Sequence, residues 1–195
     1  MSIPKKPPLV KFVGSIIYKV DTPAQRAGVS CNHTARSFPS EMSLLLEEGI
    51  SLLKRKWGEI DIRQDGLPFT HTDYYHEELG SPLFRSFFSF EKLQRRERLI
   101  EAKLFSNEIE NRLAKSDDMR TINIDPGYLT DGQFILATGK NYSHRVYLGR
   151  GIFADLTLIY KDRNFEPMPW TYPDYQEEGL RLMLLRIRQK YLEQR

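Results

Sequence analysis

The sequence predicts an α+β fold: one domain that combines a mixed or antiparallel sheet of about six to seven strands with three main helices. Three observations support this prediction. Runs of β-branched and aromatic residues recur along the chain, three segments carry apolar residues at helical spacing, and neither an internal repeat nor an interdomain linker separates them. A length of 195 residues fits a single domain.

The composition is that of an ordinary globular protein, with 40% hydrophobic and 28% charged residues. The formal net charge of +3 comes from interspersed charges, a bias too weak to indicate nucleic acid by itself. The single cysteine, Cys31, excludes an intramolecular disulfide and favours a reducing compartment. The N-terminal residues lack the apolar stretch of a signal peptide, and no run reaches the ~20 apolar residues of a membrane span. We therefore expect a cytoplasmic protein.

The first part of the chain predicts an arm, a strand and a loop. Residues 1–8 form an arm rich in proline and lysine that we expect to be flexible, and residues 9–195 form the domain. Residues 9–18 are rich in β-formers and predict a buried first strand. The polar stretch 21–39 has no periodicity and predicts a long surface loop.

Residues 40–58 predict the first helix, and extended segments follow it. Ser40 is a favourable N-cap, apolar residues recur on one face, and Gly58 is placed to end the helix. The next residues predict two short extended pieces with a turn at Asp65-Gly66 between them. Residues 83–93 predict another strand.

Residues 95–115 predict a second helix with a polar stripe. Lys103, Asn107 and Glu110 are spaced four and three residues apart, so they lie on one side of a helix. Apolar residues fall on both sides of the stripe: Leu99, Ile100, Ala102, Leu104, Phe105, Ile109 and Leu113. Such a stripe is expected to face other protein groups rather than bulk water, either as a network that fixes helix packing or as part of a site.

After this helix the sequence predicts four more strands and a last helix. Residues 121–124 predict a strand that ends at Asp125-Pro126-Gly127-Tyr128, a turn signature. The last helix begins near Asp174, which forms a pattern resembling a capping box with Glu177. The first six elements match a ferredoxin-like split βαβ arrangement, which is one interpretation of how the sheet begins.

The segment Thr138–Gly151 holds the most distinctive set of polar residues in the chain. It contains three glycines and four side chains that are or can become cationic: Lys140, His144, Arg145 and Arg150. It is not a P-loop, because neither the position of the first glycine nor the residue after the lysine fits that motif. Gly149-Arg150-Gly151 instead predicts a tight hairpin turn between two strands.

Strand alternation assigns faces to this predicted hairpin. Arg145 and Tyr147 lie on one face of the strand, and Val146 and Leu148 lie on the other. We expect Val146 and Leu148 to face the core, with His144 beside them as a structural residue rather than a catalyst. Arg145 and Tyr147 are then presented on the opposite side.

These cationic and hydroxyl side chains, with flexible glycines, suit a small anion such as a phosphate or a carboxylate. We expect a cleft lined by residues 72–78, 103–110, 125–128 and 140–150. The candidate ligand-binding residues are Asp73, Tyr75, Lys103, Asn107, Lys140, Arg145, Tyr147 and Arg150. If a reaction occurs, either Asp125 or Glu78 is the candidate catalytic acid/base, with Arg145 and Arg150 stabilising charge. For Asp125 a purely turn-forming role is the alternative.

The histidines do not predict a metal site. His71, Asp73, His76 and Glu77 are close in sequence, but the chain has no HExxH motif and no pair of Cys-x-x-Cys ligands. We therefore assign no metal and leave the cofactor open.

Several motifs together resemble one family of uncharacterised bacterial proteins, the domain of unknown function family 4416. The resemblance spans roughly residues 8–193, with the stretch 21–39 as its main departure. The motifs are Phe69-x-x-Thr72-Asp73-Tyr74-Tyr75, Glu78-Leu79-Gly80, Ser89-Phe90-Glu91-Lys92-Leu93, Lys103-Leu104-Phe105-x-Asn107, Asn123-Ile124-Asp125-Pro126-Gly127-Tyr128, Tyr142-Ser143-His144-Arg145-Val146-Tyr147-Leu148-Gly149-Arg150-Gly151 and Trp170-Thr171-Tyr172-Pro173-Asp174-Tyr175.

The resemblance implies a single-domain cytoplasmic protein with no established activity. Members of the family are sometimes loosely labelled GTP-binding. This chain lacks both the P-loop and the Asn-Lys-x-Asp motif that reads a guanine base.

Two other functions compete with a small anionic ligand. In the first, the polar motifs are structural and the chain is a protein-interaction or self-associating domain. Its partner would bind at Trp170–Pro173 or at the last helix, where Leu182, Leu185 and Leu192 lie off the inner face. In the second, the chain is a weak nucleic-acid binder, which would require salt-dependent binding to RNA or DNA.

Overall fold

The computed structural model describes residues 3–20, 41–70, 76–116 and 119–195. The strands in these ranges are β1 (Lys11–Lys19), β2 (Ile60–Pro68), β3 (Leu83–Phe90), β4 (Ile122–Leu129), β5 (Gln133–Thr138), β6 (Arg145–Gly149), β7 (Ile152–Lys161) and β8 (Asn164–Pro167). The helices are α1 (Glu41–Trp57), α2 (His76–Leu79), α3 (Leu99–Leu113) and α4 (Glu178–Gln194), with 3₁₀ turns at Arg96–Arg98 and Pro173–Gln176.

All eight strands belong to one curled sheet in which every pairing is antiparallel. Seven strands follow the order β2-β3-β1-β4-β5-β7-β6, and β8 pairs with β7 beside β6. The α+β class and the three main helices α1, α3 and α4 are confirmed. Eight strands exceed the predicted six to seven, and the sheet continues well beyond its first four strands. We therefore describe it as one curled sheet rather than as a ferredoxin-like unit.

Helices cover both faces of the sheet. α1 and α3 pack on one face, with Ile50, Trp57 and Ile109 against β1 and β4 residues such as Ile16 and Ile124. α4 packs on the other face through Leu180, Met183, Leu184, Ile187 and Tyr191, which contact Val13, Phe87, Phe134 and Leu158. β1 contributes side chains to the hydrophobic cores on both faces of the sheet, because successive side chains of a strand point to opposite faces.

Several local predictions are confirmed. Gly58 has a φ of +99°, which favours glycine, and its N–H donates to the Lys54 carbonyl at 2.9 Å, so it ends α1 as expected. The polar stripe of α3 is withdrawn from water, since Lys103 and Glu110 are both buried. β6 and β7 form the predicted hairpin around Gly149-Arg150-Gly151.

Two predicted turns are wrong. Asp65-Gly66 is a bulge inside β2, where the register with β3 shifts between Gln64 and Leu67. Asp125-Pro126-Gly127-Tyr128 lies inside β4, which pairs with β1 from Ile122 to Leu129. In both places pairing with a neighbouring strand overrides a local turn signal.

The predicted capping box is also wrong. α4 begins at Glu178, and its N-cap Glu177 makes no side-chain cap hydrogen bond. Asp174 is buried in the preceding 3₁₀ turn, where it forms an ion pair with Arg85 at 2.5 Å.

Other predictions fall outside the described residues. They concern the loop 21–39 with Cys31, the N-cap Ser40, and the candidate ligand-binding residues Asp73 and Tyr75. Residues 3–8 are exposed and belong to no helix or strand. Within the described ranges, no helix combines the length and the apolar character that crossing a membrane requires.

Candidate functional site

The first half of β4 has an edge that no strand covers in the described part of the chain. β5 pairs with β4 only at Gly127–Leu129, so Ile122–Pro126 have no neighbouring strand on that side among the described residues. Side chains of α3 take its place at Ile124. Glu110 Oε1 accepts a hydrogen bond from the Ile124 N–H at 2.6 Å, and Lys103 Nζ donates to the Ile124 carbonyl at 2.9 Å. Two side chains of the polar stripe thus replace a strand.

The Asp-Pro-Gly sequence fits this position in β4. Backbone groups of alternate residues point to the same edge, so Pro126 faces the uncovered edge like Ile124, and its missing N–H removes no ladder hydrogen bond. Gly127 lies where β5 joins, and a Cβ there would stand 2.5 Å from the Ile135 carbonyl oxygen. Only glycine permits this approach without a shift.

A network of charged side chains surrounds this edge. Arg120 donates to Glu78 at 2.6 Å, and further donates to Glu110 Oε2 at 3.0 Å and to Asn123 Oδ1 at 3.1 Å. Asn123 in turn donates to Asp125 Oδ2 at 2.8 Å. We name the following six residues the Asp125 cluster: Glu78, Lys103, Glu110, Arg120, Asn123 and Asp125.

The Asp125 cluster brings together three of the predicted site residues. Lys103 Nζ lies 3.8 Å from Asp125 Oδ1 and 4.0 Å from Glu110 Oε1. Glu78 joins through Arg120, which sequence reasoning missed together with Asn123. The spacing of Asn123 and Asp125 was the available signal, since residues two apart share a face if the strand continues through Asp125. Asn107 is half-buried on the same stripe of α3.

The cluster shifts the ionisation of its two glutamates in opposite directions. Hydrogen bonds from Arg120 lower the pKa of Glu78, and the ammonium of Lys140 adds a smaller electrostatic lowering. Lys140 therefore lies within electrostatic reach of the cluster. Burial raises the pKa of Glu110, and the positive charges of Lys103 and Arg120 oppose that shift.

The register of the sheet shows which predicted residues share a face with Asp125. Gly127 is opposite Leu136, Leu136 is opposite Asp155, and Asp155 is opposite Arg145. Because paired residues and residues two apart share a face, Asp125, Arg145 and Tyr147 all lie on the face that α4 covers elsewhere. β6 is three strands from β4, so Tyr147 is about 14 Å from Asp125 across the sheet.

A second polar group lies on this face beside Asp125. Ser15 is opposite Asp125 in the β1–β4 register, and its Oγ is 3.5 Å from the Tyr175 hydroxyl. The guanidinium of Arg85 lies between the rings of Phe69 and Tyr175, at 4.9 and 4.7 Å. Burial raises the pKa of Tyr175, and the nearby Asp125 carboxylate adds to this shift. Arg85 Nε is buried and has no hydrogen-bond partner among the described residues.

Arg145 forms hydrogen bonds and a stacking contact with other residues of the protein. Its Nε donates to Asp155 Oδ2 at 2.8 Å, its Nη1 donates to the Lys140 carbonyl at 3.0 Å, and its guanidinium stacks on Tyr142. His144 lies between the rings of Tyr142 and Trp170, nearly parallel to both. These contacts fit the structural role predicted for His144, and they leave Arg145 holding the 140–145 segment in place.

The predicted orientation of two side chains in the β6–β7 hairpin is wrong. Val146 is 66% exposed and Leu148 is 38% exposed, so neither faces the core. The reason is that β6 is the last strand of the sheet. Tyr147 is exposed as expected and packs on Phe153, with 5.1 Å between the ring centroids.

Arg150 lines a groove that contains no residue of the Asp125 cluster. It is exposed in the β6–β7 turn and lines this groove at the start of α3, together with Arg95, Glu97, Arg98, Ile100 and Glu101. The described residues contain no group of three or more His, Cys, Asp or Glu side chains placed to hold a metal ion.

The surface predicted for binding a protein partner, at the last helix or at Trp170–Pro173, exposes fewer apolar side chains than predicted. Of the three leucines on α4, Leu182 is largely exposed, whereas Leu185 and Leu192 are half-buried against the core. Trp170 is half-buried as well, and its Nε1 donates to the Leu156 carbonyl at 2.9 Å.

The fold and the cluster together define an α+β protein with a buried polar network at a gap in its sheet. The family model of a domain of unknown function, DUF4416, matches residues 33–191, and the chain belongs to this family. The match begins after β1, so the resemblance starts later than the expected residue 8. Neither the curated proteins nor the solved structures that were compared include a match.

Proposed function

We propose that this protein binds a small anionic ligand, such as a phosphorylated metabolite or a nucleotide, at the Asp125 cluster. The proposal rests on one observation: candidate residues from separate segments of the chain lie in one polar network. Glu78, Lys103 and Asp125 come from three separate segments and lie in one network, and Lys140 from a fourth segment is within electrostatic reach. Ionisable side chains with shifted pKa values that converge from separate segments support a functional site at this position.

The cations of the cluster supply the binding chemistry. Arg120 holds Glu78 through two of its nitrogens, a geometry that a phosphate or carboxylate ligand reproduces. Glu78 lies on the single-turn helix α2, whereas Glu110 lies in the middle of the network on α3. Glu78 is therefore the carboxylate that a ligand displaces most readily, and Lys140 would approach the same anion.

Asp125 is the best-placed group for proton transfer if the ligand is transformed. Its side chain is 26% exposed, and it lies 3.8 Å from the Lys103 ammonium. Glu78 suits this role less, because its lowered pKa keeps it ionised in its pair with Arg120. Arg145 would position the 140–145 segment rather than contact the ligand.

Thermal unfolding tests the proposal directly. Inorganic phosphate, nucleotides and sugar phosphates are compared with their neutral nucleosides and sugars. A true ligand at about 100 times its Kd stabilises the folded state by roughly 2.7 kcal/mol, which raises the melting temperature by several degrees.

A matched pair of lysine variants separates the site from general charge effects. Lys140→Ala should weaken the response to the active ligand, whereas Lys161→Ala, at the exposed end of β7, should leave it unchanged. No stabilisation by any anion, or an equal response in both variants, would contradict the proposal.

A further inference from the structure

One edge of the sheet is left unprotected. β6 is the last strand in the order, so its outer backbone groups have no strand partner among the described residues. Its three central side chains are apolar and exposed: Val146 66%, Tyr147 60% and Leu148 38%. The charged side chain of this strand, Arg145, is turned inward to Asp155. An exposed apolar edge strand is a ready template for another strand.

The other edges of the sheet carry features that block such pairing. β2, at the opposite end, has two register shifts, charged side chains and a terminal proline, Pro68. β8 ends in exposed Glu166 and Pro167. Between β6 and β8, Trp170 and Thr171 donate side-chain hydrogen bonds to the carbonyls of Leu156 and Thr157 on the same edge of β7. Among the described residues, the β6 part of this edge has no comparable protection apart from one bulge at Leu148.

The surroundings of β6 are cationic. The sequence from Thr138 to Gly151 contains no aspartate or glutamate. Where β6 ends, Arg150 and Arg95 line a groove of about 560 Å³ together with Ile100. Neither guanidinium has an ion-pair partner in the part of the chain that the structure describes. In the same groove Glu101 is neutralised by Arg98 and Lys56, which leaves Glu97 as the remaining carboxylate.

We propose that β6 is a docking edge for an extended acidic segment of another protein, which adds to the sheet as a further strand. The main chain of the segment would bond to the outer edge of β6. Its apolar side chains alternate with its carboxylates and share one face, so they would pack on Val146 and Leu148. Its carboxylates would lie at the groove beside Arg95 and Arg150. This surface is separate from the Asp125 cluster.

Charge disfavours a second copy of this chain as the occupant. Two β6 strands paired with each other would bring two segments free of acidic residues side by side, each ending at the exposed cation Arg150. Like charges placed across an interface oppose association, whereas an acidic segment complements this edge.

Fluorescence anisotropy with two labelled heptapeptides tests the proposal. One peptide alternates glutamate and valine, and the other alternates lysine and valine at the same length. We expect the glutamate peptide to bind saturably and at least about tenfold more tightly than the lysine peptide, with affinity that falls as salt is added.

Two arginines provide a matched pair of charge reversals. Arg150 and Arg163 are both exposed turn residues with a left-handed backbone, at φ +54° and +67°. Arg150→Glu should weaken the glutamate peptide by about tenfold or more, and Arg163→Glu by less than about twofold. Arg95→Glu serves as a second variant if Arg150→Glu does not fold, as judged by circular dichroism.

Three outcomes would overturn the proposal. The first is equal or absent binding of the two peptides. The second is an equal effect of Arg150→Glu and Arg163→Glu. The third is a concentration-dependent dimer in analytical ultracentrifugation that Val146→Lys abolishes, since that result would assign the edge to a second copy of the chain.

Discussion

At the scale of single residues, Glu110 shows how a side chain can complete a sheet. It is 3% exposed, accepts the Ile124 N–H with one oxygen and accepts from Arg120 with the other. A buried carboxylate is costly unless every partner is in place. The raised pKa of Glu110 records that cost.

Removing this carboxylate should destabilise the protein strongly. Glu110→Ala leaves the Ile124 N–H unsatisfied and leaves Lys103 and Arg120 without a shared counter-charge. We expect the free energy of unfolding to fall by about 3–5 kcal/mol in urea denaturation. Glu108→Ala, at an exposed position of the same helix, should change it by less than about 0.5 kcal/mol. Similar losses in both variants would show that the network contributes little to stability.

At the scale of elements, β4 is divided at Gly127. Before this residue, α3 side chains satisfy the outer backbone groups of Ile124, and from this residue onward the strand is paired with β5. The close approach of the Ile135 carbonyl fixes the point at which the sheet closes again.

A methyl group at this point should disturb the junction. Gly127→Ala places a Cβ 2.5 Å from the backbone oxygen of Ile135, which must shift, and we expect a loss of about 1–3 kcal/mol. Hydrogen exchange should show the loss of protection in β5. Gly132→Ala is the control, because a Cβ there meets no atom within 4 Å. A stability of Gly127→Ala equal to that control would contradict this account.

Some elements could be predicted from the sequence because their signals are local. The polar stripe of α3 and the β6–β7 hairpin follow from spacing and from glycine chemistry. The course of β4 could not, because Asp125-Pro126-Gly127 is a turn signal and only pairing with β1 keeps it extended. Val146 and Leu148 look like core residues until the strand order places β6 at the end of the sheet.

At the scale of the whole molecule, the two glutamates of the Asp125 cluster give opposite contributions to acid stability. The pKa of Glu78 lies below its ordinary value of 4.5, so its contribution is present above that value and is lost as the pH falls through the folded-state pKa. The pKa of Glu110 is raised, so the folded protein binds that proton more tightly and stability falls as the pH rises through its folded-state pKa.

Replacing Glu78 should therefore reduce acid sensitivity. We expect Glu78→Gln to be less stable than the wild type near neutral pH, and to lose less unfolding free energy between about pH 5 and 3. Urea denaturation at each pH measures both quantities. Glu166→Gln, at an exposed position of β8, should follow the wild-type profile. A slope for Glu78→Gln as steep as that of the wild type would exclude the Arg120 pair as a source of acid sensitivity.

The residues that carry polar chemistry could be singled out from the sequence, but the contacts between them could not. Glu78, Lys103 and Asp125 were recognised as polar residues in suggestive contexts, and the fold brings them together. Arg120 was missed because it stands alone in sequence and acts by bridging Glu78, Glu110 and Asn123. Tyr147 and Arg150 were expected to line one cleft with Asp125 because they belong to the cationic, glycine-rich segment Thr138–Gly151. The sheet order separates them, since β5 and β7 lie between β4 and β6.

Lys103 and Glu110 of the Asp125 cluster also form hydrogen bonds with the backbone of Ile124. Binding of an anion at the cluster would therefore be coupled to local opening of β4 at this residue. An anion that draws the Lys103 ammonium to itself leaves the Ile124 carbonyl unpaired, and the Ile124 amide depends on Glu110 in the same network. The affinity of such an anion then includes the cost of that opening. The hydrogen-exchange rate of the Ile124 amide would then change when the anion binds, even without a direct contact between the two.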